Sequence, residues 1–108
     1  MGSRAAARTG VHELPAELPG EFTVLDVREQ HEWDAGHIRD ALHVPLGDLA
    51  ARQTEVAAAA DDGRVLVVCA VGARSARATA FLISTGMDAV NLAGGMRGWE
   101  AAGRPLER

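Results

Sequence analysis

The sequence predicts an α/β fold with a largely parallel central sheet that helices cover on both faces. Short runs of β-branched and aliphatic residues alternate with segments that have a helical composition. This alternation is typical of right-handed β-α-β crossovers, which put helices on both faces of a parallel sheet. The chain has 108 residues, 47% of them hydrophobic, which is enough for one compact core. We therefore expect a loosely ordered segment at 1–10 and a single domain over 11–108.

Five segments are predicted to be strands. Residues 22–27 are rich in side chains that suit a sheet, and 64–68 contain four aliphatic residues in a row. An uninterrupted aliphatic run is typical of a parallel strand that is buried on both faces. The remaining predicted strands are an edge strand at 11–14, a strand at 41–44 and a strand at 89–92.

Four segments between these strands are predicted to be helices. They are 29–34, 47–60, 75–85 and a short last helix that follows Gly94-Gly95 and runs through Trp99 toward Gly103. Glycine marks the ends of the first three, because Gly36, Gly63 and Gly86 follow them.

The charge and cysteine content exclude several classes of function. A net charge of −4 argues against nucleic acid as a partner, because phosphate binding needs a clustered basic surface. All eleven basic residues are arginine, which excludes lysine chemistry such as Schiff bases. No stretch approaches the roughly 20 apolar residues that span a membrane, and no apolar signal region follows the N-terminus. A single cysteine forms no internal disulfide, so we expect a soluble protein of the reducing cytoplasm.

The only cysteine, Cys69, lies between a predicted strand and a predicted helix. Such a turn points backbone N–H groups and the positive end of the helix dipole at the side chain that it encloses, and both lower the pKa of a thiol there. Arg74 follows with the spacing C-x4-R, Gly72 permits a tight turn, and Ser75 is expected to cap the helix. Six residues wrapped in this way form a nest for an anion, to which Arg74 adds a permanent positive charge.

Two interpretations of this cysteine compete. A lone cysteine after an apolar strand is commonly a small buried side chain without reactivity. Gly72 and Arg74 favour a nucleophile, because a passive core residue needs neither. Ligands of parallel sheets bind beyond the carboxyl ends of the strands, where Asp26, Arg28, the cysteine loop and residues 93–95 should meet. Asp26 and Arg28 are expected to form a structural ion pair with each other or to contact groups of the loop.

Three separated motifs point to a family. They are Leu25-Asp26-Val27-Arg28-Glu29 with Glu32 and Gly36-His37-Ile38, then Cys69-Ala70-Val71-Gly72-Ala73-Arg74-Ser75, then Leu92-Ala93-Gly94-Gly95 with Trp99. In this order and spacing they make the chain resemble the single-domain rhodanese-like sulfurtransferases over about 22–106. The resemblance implies a rhodanese-like α/β fold whose central sheet has five mainly parallel strands.

The same resemblance implies covalent sulfur transfer. Cys69 would be the catalytic nucleophile, attacking the outer sulfur of a small anionic donor such as thiosulfate to form a persulfide. Cyanide, a thiol or a protein acceptor would then remove the sulfur, and neither a metal nor an organic cofactor is implied. Arg74 would hold the anionic part of the donor. The backbone N–H groups expected to stabilise the persulfide belong to the loop residues Ala70, Val71, Gly72, Ala73 and Ser75.

Two other functions stay open beside the enzyme. A sulfur carrier would pass sulfur between proteins with little turnover of small molecules. A cysteine phosphatase of this fold would use a longer C-x5-R loop, so the shorter loop here favours the sulfurtransferase. Ala70 and Val71 stand where some thiosulfate-using enzymes carry polar or basic residues, which also allows for a less charged or protein-bound donor.

Overall fold

The computed structural model describes residues 7–17 and 20–108, and its centre is one five-stranded sheet. The strands are β1 (Arg8–Thr9), β2 (Phe22–Asp26), β3 (Leu42–His43), β4 (Arg64–Val68) and β5 (Asp88–Leu92). Their order across the sheet is β1-β5-β4-β2-β3, and every neighbouring pair is parallel. The predicted α/β class with five mainly parallel strands is thus confirmed.

The helices cover both faces of this sheet. They are α1 (Gln30–Asp34), α2 (Leu49–Ala60), α3 (Ala73–Ser84) and α4 (Gly95–Ala101). The longest have 12 residues, and no helix of the described ranges combines the length and apolar character that a membrane crossing requires.

The core divides into two layers because successive side chains of a strand point to opposite faces. Val65 and Val67 of β4 face α2 and α3, whereas Leu66 and Val68 face α4 and the N-terminal segment. All four side chains are fully buried. The prediction from the aliphatic run, that this strand is buried on both faces of the sheet, is therefore confirmed.

The predicted edge strand at 11–14 is wrong. Residues Val11–Glu13 form a 3-10 turn, and the edge strand is Arg8–Thr9, which pairs with β5. Val11 and Leu14 are both buried in the same core layer. A strand would place residues three apart on opposite faces, whereas a 3-10 turn aligns them. Residues 8–9 of the segment expected to be loosely ordered thus belong to the sheet, and residues 1–6 lie outside the described ranges.

The helix predicted over 75–85 begins two residues earlier than expected. Gly72 is its N-cap residue with φ +108°, and Ser75 lies inside the first turn of α3. Ser75 is therefore not the cap, and its hydroxyl is available for other contacts. The cause is Gly72, whose positive φ turns the chain into the helix before Ser75 is reached. At the other end Gly86, at φ +97°, follows the helix as predicted.

Candidate functional site

The carboxyl ends of β2, β4 and β5 meet at one edge of the sheet, as predicted. Asp26, the last residue of β2, pairs with Val68, which directly precedes Cys69. The loop that follows Cys69 is fixed to α4, because the Met96 N–H donates to the Cys69 carbonyl at 2.8 Å and the Arg97 N–H donates to the Ala70 carbonyl at 3.0 Å. The three motifs therefore form one surface around the cysteine.

Close backbone approach explains Gly95 and Gly72, whereas Gly94 is required for its positive φ of +85°. A Cβ atom at Gly95 would lie 2.6 Å from the Ala70 carbonyl oxygen, which is sterically forbidden. A Cβ atom at Gly72 would lie 3.3 Å from the Gly94 nitrogen. These glycines let the cysteine loop and the start of α4 pack against each other.

The Cys69 side chain is fully buried at the base of the loop. The Gly72 N–H donates to its sulfur at 3.1 Å, and the Ser75 hydroxyl lies 3.3 Å from the same atom. Burial raises the pKa of the Cys69 thiol, but hydrogen bonds from the Ser75 hydroxyl and from backbone N–H groups of Ser75, Gly72 and Val71 outweigh it, and the pKa is lowered. The loop therefore favours a negatively charged sulfur.

Asn91 on β5 is a site residue that the sequence prediction missed. The Ser75 Oγ lies 2.5 Å from Asn91 Oδ1, and Asn91 Nδ2 donates to the Gly72 carbonyl at 3.2 Å. It therefore contacts both residues that contact the sulfur. The available signal was a polar side chain in an otherwise aliphatic strand segment, since buried polar groups need partners.

The Arg74 guanidinium is held by Glu32 of α1. Its two terminal nitrogens donate to the two carboxylate oxygens at 2.7 and 2.8 Å. These bonds lower the pKa of Glu32 to about 2 and raise the pKa of Arg74. The expected permanent charge at the loop is thus present, but a carboxylate already balances it. Glu32 stands in one of the recognised motifs, and its role became visible only through this contact.

Asp26 and Arg28 form an ion pair with each other and not with the loop. The Arg28 guanidinium donates to the Asp26 carboxylate at 2.8 to 3.0 Å and also to the Gly36 carbonyl at 2.8 Å. Both residues are buried. Of the two arrangements that the sequence left open, the structure has the ion pair that orients the turn after β2.

The rim of the loop carries small and apolar side chains. Ala73 is exposed, Ala70 is half-buried, and Val71 is the one large hydrophobic side chain of the described ranges that stands exposed, at 54%. Within 7–17 and 20–108, no three His, Cys, Asp or Glu side chains cluster as a metal site. Chemically, the arrangement combines an ionisable thiol with inward N–H donors and one neutralised arginine.

Comparison with known proteins shows which protein family this chain belongs to. The model of the family described as "Rhodanese-like domain" matches residues 11–102. The chain belongs to the rhodanese-like domain family. A solved rhodanese-related protein from Thermoplasma volcanium is 32% identical and superimposes with a TM-score of 0.84 over 93% of this chain and 96% of its own.

The similar proteins include several that are named as sulfurtransferases. The putative sulfurtransferase YtwF of Bacillus subtilis is 32% identical over 82% of this chain and 84% of its own length. The thiosulfate sulfurtransferase GlpE of Actinobacillus pleuropneumoniae serotype 7 is 33% identical over 79% and 77%. The chain also spans 47% of the Mycobacterium tuberculosis HTH-type transcriptional regulator Rv0324, at 32% identity over 99% of this chain. The sulfurtransferases among these relatives support rhodanese-type sulfur transfer.

Proposed function

We propose that this chain is a sulfurtransferase that moves a sulfane sulfur through a persulfide on Cys69. The observation that carries the proposal is the buried sulfur atom of Cys69, to which the Gly72 N–H donates at 3.1 Å and from which the Ser75 hydroxyl lies 3.3 Å away. A thiol in such surroundings ionises more readily than a free one, and the thiolate is the nucleophile.

The reaction has two displacement steps. The Cys69 thiolate attacks the outer sulfur of thiosulfate, the S–S bond of the donor breaks, and sulfite leaves with its electron pair. The charge that was on Sγ now lies on the outer sulfur of the persulfide, and we assign the N–H groups of Ala70, Val71, Gly72, Ala73 and Ser75 to stabilise it there. Cyanide or a thiolate then attacks that outer sulfur, and the Cys69 thiolate returns as the leaving group.

The charge balance at the rim bears on which donor is used. Arg74 is assigned to the anionic part of the donor, yet Glu32 already occupies its bidentate face. Ala70 and Val71 add no charge. Thiosulfate carries two negative charges, and the rim residues of the loop offer little unpaired positive charge to bind them. We therefore propose that thiosulfate is a usable donor but that persulfides with less charge are better donors.

A sulfur-carrier role is the second candidate, and the exposed side chain of Val71 favours it. An apolar residue on the loop that contains Cys69 suits contact with a protein partner, either donor or acceptor. Both candidates share the Cys69 persulfide, and both need a reducing compartment such as the cytoplasm, where the thiol stays free. A phosphatase role is disfavoured, because the loop is one residue shorter than C-x5-R.

Turnover of thiosulfate and cyanide to thiocyanate tests the proposal. We expect turnover in the wild type, none in Cys69→Ser, and unchanged turnover in Arg77→Ala, which alters an exposed arginine of the same helix. A stable persulfide with negligible turnover would favour the carrier. Activity that persists in Cys69→Ser would overturn both candidates.

A further inference from the structure

Asn91 lies behind the Cys69 sulfur, and its hydrogen bonds permit only one orientation of its side-chain amide. Its side chain is buried between β5 and the start of α3, next to Ser75 and Gly72. If the amide were turned by half a rotation, its oxygen would face the Gly72 carbonyl oxygen at 3.2 Å, and two acceptors would oppose each other. The Gly72 carbonyl therefore fixes Asn91 Oδ1 toward Ser75.

The Ser75 hydroxyl then has one proton and two acceptors. Asn91 Oδ1 lies 2.5 Å from its oxygen, and the Cys69 sulfur lies 3.3 Å away. A hydroxyl donates only one hydrogen bond, so the two acceptors compete for it. A neutral thiol is a weak acceptor and leaves the proton to Asn91, whereas a thiolate attracts the proton strongly.

We infer that Asn91 is a positioning residue that holds the Ser75 proton away from Cys69 while Sγ is uncharged and yields the proton when Sγ becomes anionic. In the described ranges no other protein group donates to Asn91 Oδ1, so ionisation of Sγ costs Asn91 its hydrogen bond from Ser75. The Gly72 carbonyl keeps a second donor, the Ala76 N–H at 3.1 Å, so the loop does not depend on Asn91 for its shape.

This competition follows the reaction cycle, a consequence that rests on the proposed function. In the persulfide the negative charge lies on the outer sulfur, and Sγ becomes an uncharged bridging atom. The Ser75 proton can then return to Asn91, so Asn91 favours the persulfide over the thiolate. Because the thiolate must draw the Ser75 proton away from Asn91, it gains less net stabilisation than it would without Asn91, and a less stabilised thiolate is the better nucleophile.

The titration of Cys69 tests the inference without any sulfur donor. The chain has one cysteine and no tyrosine, so its thiolate absorbance in the ultraviolet can be followed directly, with Cys69→Ser as the blank. Asn91→Leu should lower the pKa of Cys69 by about one unit, because the Ser75 proton becomes fully available to sulfur. Asn91→Asp should raise it, because a carboxylate competes more strongly and adds negative charge.

A merely structural role predicts a different pattern. Local loosening would move both variants in the same direction, and the shift would not depend on Ser75. In a Ser75→Ala background we expect Asn91→Leu to leave the pKa of Cys69 unchanged. An unchanged or raised pKa in Asn91→Leu, or an undiminished shift without the Ser75 hydroxyl, would overturn the inference. Asn91→Ala carries the same expectation as Asn91→Leu and replaces it if that variant does not fold.

Persulfide loading provides the second measurement. Protein is equilibrated with thiosulfate and sulfite at a fixed ratio, and the fraction carrying one added sulfur is read by intact mass. Asn91→Leu should hold several-fold less persulfide than the wild type, and equal loading would contradict the cycle described above. If the wild type takes up no sulfur, the proposed function fails, while the titration still decides the role of Asn91.

Discussion

Two arginine–carboxylate pairs stand near the cysteine loop, and they differ in burial and in sequence separation. Arg28 and Asp26 are two residues apart and buried, and the same guanidinium also donates to the Gly36 carbonyl. Arg74 and Glu32 are 42 residues apart, with 33% and 23% of their side chains exposed. The first pair closes a turn, whereas the second joins α3 to α1 across the rim of the site.

This difference separates a structural ion pair from one that can influence chemistry. A buried charge depends wholly on its partner, because water cannot replace it. A partly exposed charge is partly solvated, and its partner changes the local field more than the stability of the fold. The same pairing of a guanidinium with a carboxylate therefore stabilises the fold in one place and sets the charge at the rim of the site in the other.

Removing the buried carboxylate should have the largest effect. Asp26→Asn leaves the Arg28 charge uncompensated, and we expect a loss of about 3–5 kcal/mol in the free energy of unfolding. Glu32→Gln is the matched control and should cost no more than about 1 kcal/mol. Urea unfolding followed by circular dichroism measures both. Equal losses in the two variants would erase the distinction between the pairs.

Arg74→Gln should act on donor use and leave stability largely intact. A charge-assisted hydrogen bond to the donor is lost, so kcat/KM for thiosulfate should fall by about 10–100-fold. Arg77→Gln, an exposed neighbour on α3, should leave kcat/KM unchanged. An unaltered thiosulfate dependence in Arg74→Gln would remove the role assigned to this arginine.

Glu32→Gln should increase the preference for the more charged donor. Freed from its carboxylate, Arg74 presents a net positive charge to the loop, which favours thiosulfate over an uncharged alkyl hydropersulfide. We expect the ratio of the two kcat/KM values to rise by about 3–10-fold, as suits a partly solvated charge. A lower ratio would mean that Glu32 serves to orient Arg74 and not to neutralise it.

Acid should weaken the exposed pair in a defined pH range. The pKa of Glu32 is lowered from 4.5 to about 2 by its hydrogen bond to Arg74, so the pair contributes stability above pH 4.5 and loses it as the pH falls toward 2. The difference in unfolding free energy between wild type and Glu32→Gln should shrink over that range, from a starting value of about 1 kcal/mol or less. A difference that stays constant down to pH 2 would contradict the shifted pKa.

Local patterns made most of the fold predictable. The aliphatic run of β4 and the glycines after the helices are signals that span only a few residues, so the local sequence was enough to locate these elements. The strand prediction for 11–14 is wrong because its two core residues, Val11 and Leu14, are three positions apart, a spacing that strand propensity does not take into account. The sequence likewise predicts Ser75 as the cap, because it permits but does not reveal the positive φ of Gly72 that starts the helix earlier.

The site was predictable in its centre and not in its surroundings. The spacing from Cys69 to Arg74 lies within one loop and could be counted directly. The partners Glu32 and Asn91 come from other elements, and their contacts depend on how α1 and β5 lie against that loop. No pattern in a single sequence reports such pairings, so the contact of Arg74 with Glu32 and the two acceptors around the Ser75 hydroxyl became visible only in three dimensions.

The central claim is that Cys69 carries the transferred sulfur. Intact-mass measurement after incubation with thiosulfate tests it most directly, because the chain has a single cysteine to modify. We expect one added sulfur atom in the wild type, its removal by cyanide, and no addition in Cys69→Ser. An unmodified wild type, or an added sulfur that persists in Cys69→Ser, would contradict the account.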